Sequence, residues 1–103
     1  MGDMNTNSSV LVVDDDRNLR KTLCDVLRVK GYTTADAATG EMALAAMEKG
    51  QPTVALIDLQ LPDMEGLELI RRIRASSPTT ECIVLTGHAS QASAIEAINL
   101  GAY

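Results

Sequence analysis

The sequence predicts an α/β domain built on a doubly wound parallel sheet, and three observations carry that expectation. Short apolar runs rich in β-branched residues alternate four times with helical periodicities, the connections between them are short, and the strongest of the apolar runs end in aspartate. Such alternation implies parallel strands joined by right-handed crossovers, with helices on both faces in a three-layer α/β/α arrangement. The 103 residues are 46% hydrophobic and 22% charged, which suits one modest core and argues against disorder.

Residues 1–8 are polar and aperiodic and are expected to form a disordered tail ahead of a domain over 9–103. Ser9 to Val13 is too short for a helix and apolar throughout, as befits a strand buried on both faces of a parallel sheet. From Arg17 to Lys30, Leu19, Leu23, Val26, Leu27 and Lys30 recur at helical spacing, and Gly31 stands where a helix-terminating glycine belongs. Tyr32 to Asp36 reads as a second strand. Thr39 can cap a helix over Gly40 to Lys49, with Glu41 in its first turn and Gly50 beyond its end.

Thr53 to Asp58 is a third, strongly apolar strand, followed by a loop holding Pro62. A helix from about Glu65 to Ala75 offers Leu67, Ile70 and Ile73, with Leu69 beside them, as its apolar face. Glu81 to Thr86 is the fourth strand and Ser90 to Leu100 the fourth helix.

Composition narrows the function. Without Trp or Phe, and with only Tyr32 and Tyr103 aromatic, the core must be aliphatic and stacking on bases or on a flavin has little to draw on. A net charge of −5 disfavours direct nucleic-acid binding, which needs cations against phosphates. The same charge serves either a cation or a basic partner, or plain solubility. Cys24 and Cys82 lie far apart in apolar stretches and read as core residues of a reducing, cytoplasmic compartment. No apolar run reaches the ~20 residues of a membrane span. Met1 to Thr6 fits a loose N-myristoylation pattern within the polar lead-in.

Ligands of open parallel sheets bind beyond the carboxyl ends of the strands, where strand order reverses. Strand one ends in Asp14-Asp15-Asp16, strand three in Asp58 and strand four in Thr86. If strands one and three are neighbours, carboxylates and a hydroxyl converge in one shallow cleft. Crowded carboxylates repel, and a bound cation or a raised pKa relieves them. Carboxylate oxygens with water favour a hard ion such as Mg²⁺, leaving an exposed aspartate free to act as a nucleophile. The alternatives at this point are plainer: Asp16 or Asp15 as a helix cap ahead of Arg17, and Asp58 as the first residue of a loop.

The stretch from Val10 to Asp16 resembles the opening of response-regulator receiver domains, in which the first strand delivers an acidic pair. Asp58-Leu59-Gln60-Leu61-Pro62-Asp63-Met64-Glu65-Gly66-Leu67 resembles their phosphoacceptor loop, D-x-x-x-P-x-x-x-G. Ile83 to His88 resembles the fourth strand with its hydroxyl residue, and Ala97 to Ala102 the end of the fourth helix. The resemblance covers residues 9–103, with the motifs in order and at the right spacing, and it implies strand order 2-1-3-4. It further implies that Asp58 accepts the phosphoryl group and also binds Mg²⁺. Asp15 is then a direct metal ligand, Asp14 acts chiefly through water, and Gln60 contributes its backbone carbonyl. Thr86 would hydrogen-bond a phosphoryl oxygen and move with the switch. Pro62 and Gly66 shape the loop, proline by presetting φ and glycine by reaching conformations closed to other residues. Gln60 and His88 stand where the family tunes loss of the phosphoryl group to water. A sensor histidine kinase or phosphotransfer protein is the implied donor, and a downstream effector domain the implied target.

Family members continue with a fifth strand carrying a Lys-Pro pair and a fifth helix, about 20 residues by typical element lengths. The sequence stops at Tyr103, short of that unit. The expectation is an exposed fourth-strand edge, either marginally stable or completed by a second chain as a homodimer or swapped dimer, with weakened phosphotransfer. Other functions compete. A degenerate receiver would bind partners without phosphorylation. A free-standing Mg²⁺ phosphatase with an aspartyl-phosphate intermediate commonly has a second aspartate two residues past the nucleophile, where this chain has Gln60. A flavodoxin-like FMN protein would need aromatic residues and a Ser/Thr-rich phosphate loop to hold the flavin, and the two tyrosines and the loops here supply neither.

Overall fold

The computed structural model of the chain describes residues 8–85. The elements run β1 (Ser9–Val13), α1 (Arg17–Val29), β2 (Thr33–Ala37), α2 (Gly40–Lys49), β3 (Val54–Asp58), α3 (Gly66–Ser76) and β4 (Glu81–Leu85). All strand pairs are parallel and the order is β2-β1-β3-β4, so the doubly wound sheet is present as expected. The expected fourth helix, Thr86, His88 and Tyr103 lie outside the described residues, as does nearly all of the expected tail. No helix among the described residues is long and apolar enough to cross a membrane.

Strand alternation divides the core into two layers. Leu11, Val13, Ala55 and Ile57 face α2 and α3, where they join Ala43, Met47, Leu69, Ile70, Ile73 and Cys82. Val10 and Val12 face α1 and join Cys24, with Leu23, Leu27, Val54 and Leu56 partly buried around them. β1, at the centre, is buried on both faces from Val10 to Val13, which is why those four residues are all apolar. Both cysteines are free and buried, as expected.

Helix α1 corrects its predicted face. Leu19 and Val26 are 42% and 48% exposed, and the stripe against the sheet is instead Leu23, Cys24 and Leu27 with Arg20. At 100° per residue, positions 19 and 26 fall about a quarter turn or more off that stripe. The end of the helix follows the expectation closely. Gly31 has φ of 100°, its N–H donates to Arg28 O at 3.0 Å and the Tyr32 N–H donates to Leu27 O at 3.0 Å. This is the paired Schellman arrangement. Because Tyr32 is used in that cap, β2 begins one residue later than predicted, at Thr33.

The turn from α3 into β4 is sewn to the start of β3. The Thr80 hydroxyl donates to Pro52 O at 2.7 Å and pairs with the Ser77 hydroxyl at 2.7 Å, both side chains being fully buried.

Candidate functional site

β1 and β3 pair directly, from Val10 opposite Val54 to Val13 opposite Ile57. That register carries Asp14 alongside Asp58 at the carboxyl ends of two adjacent strands. Asp14, Asp15 and Asp58 each offer a carboxylate oxygen, and these oxygens all lie within 4.8 Å of one another. Asp14 and Asp58 are buried, whereas Asp15 is open to solvent. The strand neighbours that the sequence left conditional are therefore neighbours, and three predicted site residues meet.

The third aspartate of the run has a different task. Asp16 caps α1, its carboxylate accepting from the Asn18 N–H at 3.0 Å and the Leu19 N–H at 3.1 Å. Of the two residues proposed as the cap, the structure selects Asp16 and leaves Asp15 for the cluster.

Asp14 is held from several sides. Its N–H donates to Ala37 O at 3.1 Å, its carbonyl accepts from Arg20 Nη1 at 2.8 Å, and its Oδ1 accepts from the Asp16 N–H at 2.9 Å. Burial pushes its carboxyl above the usual aspartate range. The Asp16 N–H works against that, while the charges of Asp58, Asp15 and Asp16 add to it. A hard cation would relieve this cost, and an all-carboxylate donor set is the kind such ions select. The residues present therefore fit a divalent metal.

Asp58 anchors the loop that follows it. Its Oδ1 accepts from the Gln60 N–H at 3.1 Å, and Gln60 forms an antiparallel bridge with Glu65. Among the described residues no donor reaches the second oxygen, Oδ2. The loop closes where the Gly66 N–H donates to Leu59 O at 2.8 Å. Here the sequence-based reason for Gly66 is corrected. Gly31 is the described glycine with positive φ, whereas Gly66 is needed because a Cβ there would press on the Asp58 carbonyl and reach within 2.7 Å of Leu59 Cα.

Two supporting residues escaped the sequence reading. Arg20 places Nε 2.7 Å from the Asp36 carboxylate while Nη1 holds Asp14, joining α1 to the ends of β1 and β2. Asp63 accepts from the N–H groups of Gly40 at 2.8 Å and Glu41 at 2.9 Å. An arginine one turn after an acidic strand end was a signal available for the first; nothing local signals the second.

Comparison with known proteins agrees with this picture. The family model of the response regulator receiver domain matches residues 10–103. The chain is similar to the C4-dicarboxylate transport transcriptional regulatory protein DctD of Rhizobium meliloti (strain 1021), with 37% identity over 100 residues, 97% of this chain but 22% of that protein. The chain thus spans about a fifth of that relative's length. Among solved structures it resembles a receiver domain protein (CheY-like) from Methanospirillum hungatei JF-1, with TM-score 0.82 and 33% identity over 93% of this chain and 77% of that one. It also resembles a response regulator protein from Burkholderia pseudomallei with a phosphorylated aspartic acid, calcium ion and citrate, with TM-score 0.87 and 32% identity over 93% of this chain and 56% of that one. Strand order, acidic strand ends and family match coincide, and the chain belongs to the response regulator receiver domain family.

Proposed function

We propose that this receiver domain takes a phosphoryl group from the phosphohistidine of a sensor kinase or phosphotransfer protein onto Asp58. The observation that carries the reading is the convergence of Asp14, Asp15 and Asp58 within 4.8 Å at the ends of β1 and β3. Asp14, Asp15, Asp58 and the backbone carbonyl of Gln60 would hold Mg²⁺, with Asp14 acting chiefly through water. When bound, the ion supplies positive charge for the phosphoryl oxygens. The related Burkholderia pseudomallei protein carries a phosphorylated aspartic acid and a calcium ion, which supports the assignment.

The chain's own contribution is positioning. The Gln60 N–H engages Asp58 Oδ1 and fixes the carboxylate's rotation, which leaves Oδ2 as the nucleophile. Oδ2 forms the new O–P bond as the donor's P–N bond breaks, and the departing imidazole takes up a proton. Thr86 would hydrogen-bond a phosphoryl oxygen. Because acceptor and metal ligands all belong to the receiver, a small phosphodonor suffices and the domain catalyses its own modification. The added negative charge then alters affinity for an effector domain in the cytoplasm. The net charge of −5 disfavours nucleic-acid contact by this domain itself.

Intact-mass measurement after incubation with Mg²⁺ and acetyl phosphate tests the reading. One phosphoryl adduct, absent in Asp58→Asn, is expected. A folded, Mg²⁺-bound chain that takes up no phosphoryl group would favour a receiver that binds partners without phosphorylation.

A further inference from the structure

The β3–α3 loop is fastened to a helix more than twenty residues away in sequence. Asp63, an exposed residue in that loop, spans the first two N–H groups of α2, with Oδ1 on Gly40 and Oδ2 on Glu41. Those groups lack partners inside the helix and carry the positive end of its dipole. They also hold the Asp63 carboxyl below the usual aspartate range. α2 already has a local cap, since Thr39 Oγ1 accepts from the Met42 N–H at 3.1 Å. The carboxylate of Asp63 is therefore a second clamp, and it comes from another part of the chain.

Packing reinforces the clamp. Gly40 is buried against Met64, and a Cβ on Gly40 would come 2.5 Å from Met64 Sδ and 2.6 Å from its Cγ. The loop tip thus rests on a glycine with no side chain to hold it off. From Asp63 a short connected path leads to the acceptor. The tip lies between Gln60 and Glu65, which pair as an antiparallel bridge, and the Gln60 N–H donates to Asp58 Oδ1. The segment before α2 touches the site's other side as well, because Ala37 O accepts from the Asp14 N–H.

We propose that Asp63 is a positioning residue: by clamping the phosphoacceptor loop onto the N-terminus of α2, it sets the place of the Gln60 backbone beside Asp58 and hence the site's affinity for Mg²⁺. This rests on the proposed function, in which the Gln60 carbonyl and Asp58 are metal ligands. Partners of metal ligands that lie one shell out commonly change affinity by about ten- to a hundredfold when removed. Asp63 bonds Gly40 and Glu41 and no ligand directly, so about tenfold is the most its loss should cost.

The test is calorimetric titration of the 103-residue chain with MgCl₂, alongside NMR exchange of the Gln60 amide. The variants are Asp63→Ala, Asp63→Asn and Thr39→Ala. Asp63→Ala should weaken Mg²⁺ severalfold, up to about tenfold, and speed Gln60 amide exchange. Asp63→Asn keeps one acceptor and the loop's shape, and should fall between Asp63→Ala and the parent. Thr39→Ala removes the other cap of the same helix, so it should lower the unfolding midpoint while leaving Mg²⁺ affinity unchanged. Unchanged Mg²⁺ affinity in both Asp63 variants, or an equal loss in Thr39→Ala, overturns the positioning role. A parent chain that binds no Mg²⁺ overturns the proposed function along with it, so the two failures are distinguishable.

Discussion

Gly66 lies against the backbone of Asp58, its N–H bonded to Leu59 O at 2.8 Å and its Cα facing the Asp58 carbonyl so closely that a Cβ would press into that oxygen. The obstacle is backbone on both sides, with Leu59 Cα 2.7 Å from the same Cβ position, and backbone cannot swing aside as a side chain can. Gly66→Ala should therefore cost about 1–3 kcal/mol, the usual range for overpacking. It should also lower the yield of phosphorylated protein, because the displaced segment carries Asp58, the proposed acceptor. Urea unfolding and intact-mass labelling check the two effects separately.

The three consecutive aspartates should respond differently. Asp16→Ala removes both side-chain bonds at the start of α1 and should cost about 1 kcal/mol, with Mg²⁺ binding retained. Asp15 is exposed, so Asp15→Asn should leave metal-free stability within about 0.5 kcal/mol while abolishing Mg²⁺ binding. Equal effects of the two substitutions on Mg²⁺ affinity would contradict the division of labour.

Asp14 predicts an unusual pH dependence. Its carboxyl is raised in the folded state above the ordinary 3.8, with burial the largest cause. Between 3.8 and the raised value the folded chain binds more protons than the unfolded one. Metal-free stability from this group therefore increases as the pH falls through that window and decreases as it rises. Asp63, held low by the Gly40 and Glu41 N–H groups, acts in the opposite sense, losing its contribution as the pH falls through its lowered value. The two windows lie on opposite sides of 3.8. In thermal unfolding across this range without Mg²⁺, Asp14→Asn should remove the gain on the acid side of neutral, and Mg²⁺ should diminish it in the parent chain.

Thr80 tests whether the far end of the sheet can be damaged without touching the site. Thr80→Val leaves the Pro52 carbonyl and the Ser77 hydroxyl without their 2.7 Å partner in a fully buried place. The cost should be about 1–3 kcal/mol. Pro52 precedes β3 and Asp58 ends it, roughly 20 Å away at strand geometry, so Mg²⁺ affinity should hold.

What was legible in the sequence was local or periodic. Gly31 and Thr39 are read correctly because a helix cap is decided within a few residues, and Asp14, Asp15 and Asp58 stand out because each follows an apolar strand. Leu19 and Val26 mislead because helical spacing alone does not say which of two adjacent stripes meets the sheet. Arg20 with Asp36 and Asp63 with Gly40 join residues 16 and 23 apart, and no propensity or motif encodes such pairings before the chain is folded. Gly66 is recognisable as necessary, but its reason, the nearness of the Asp58 backbone, appears only in three dimensions. Thr86 and His88 lie outside the described residues.

If Asp58 is the nucleophile of a Mg²⁺-dependent site, its phosphorylated side chain can be trapped chemically. The most direct measurement is reduction with borohydride after treatment with acetyl phosphate and Mg²⁺, followed by peptide mass mapping, since borohydride converts an aspartyl phosphate to homoserine. Homoserine at position 58, dependent on Mg²⁺ and lost in Asp15→Asn, is the predicted result. Homoserine at another aspartate, or at position 58 with equal yield when Mg²⁺ is chelated, would contradict it.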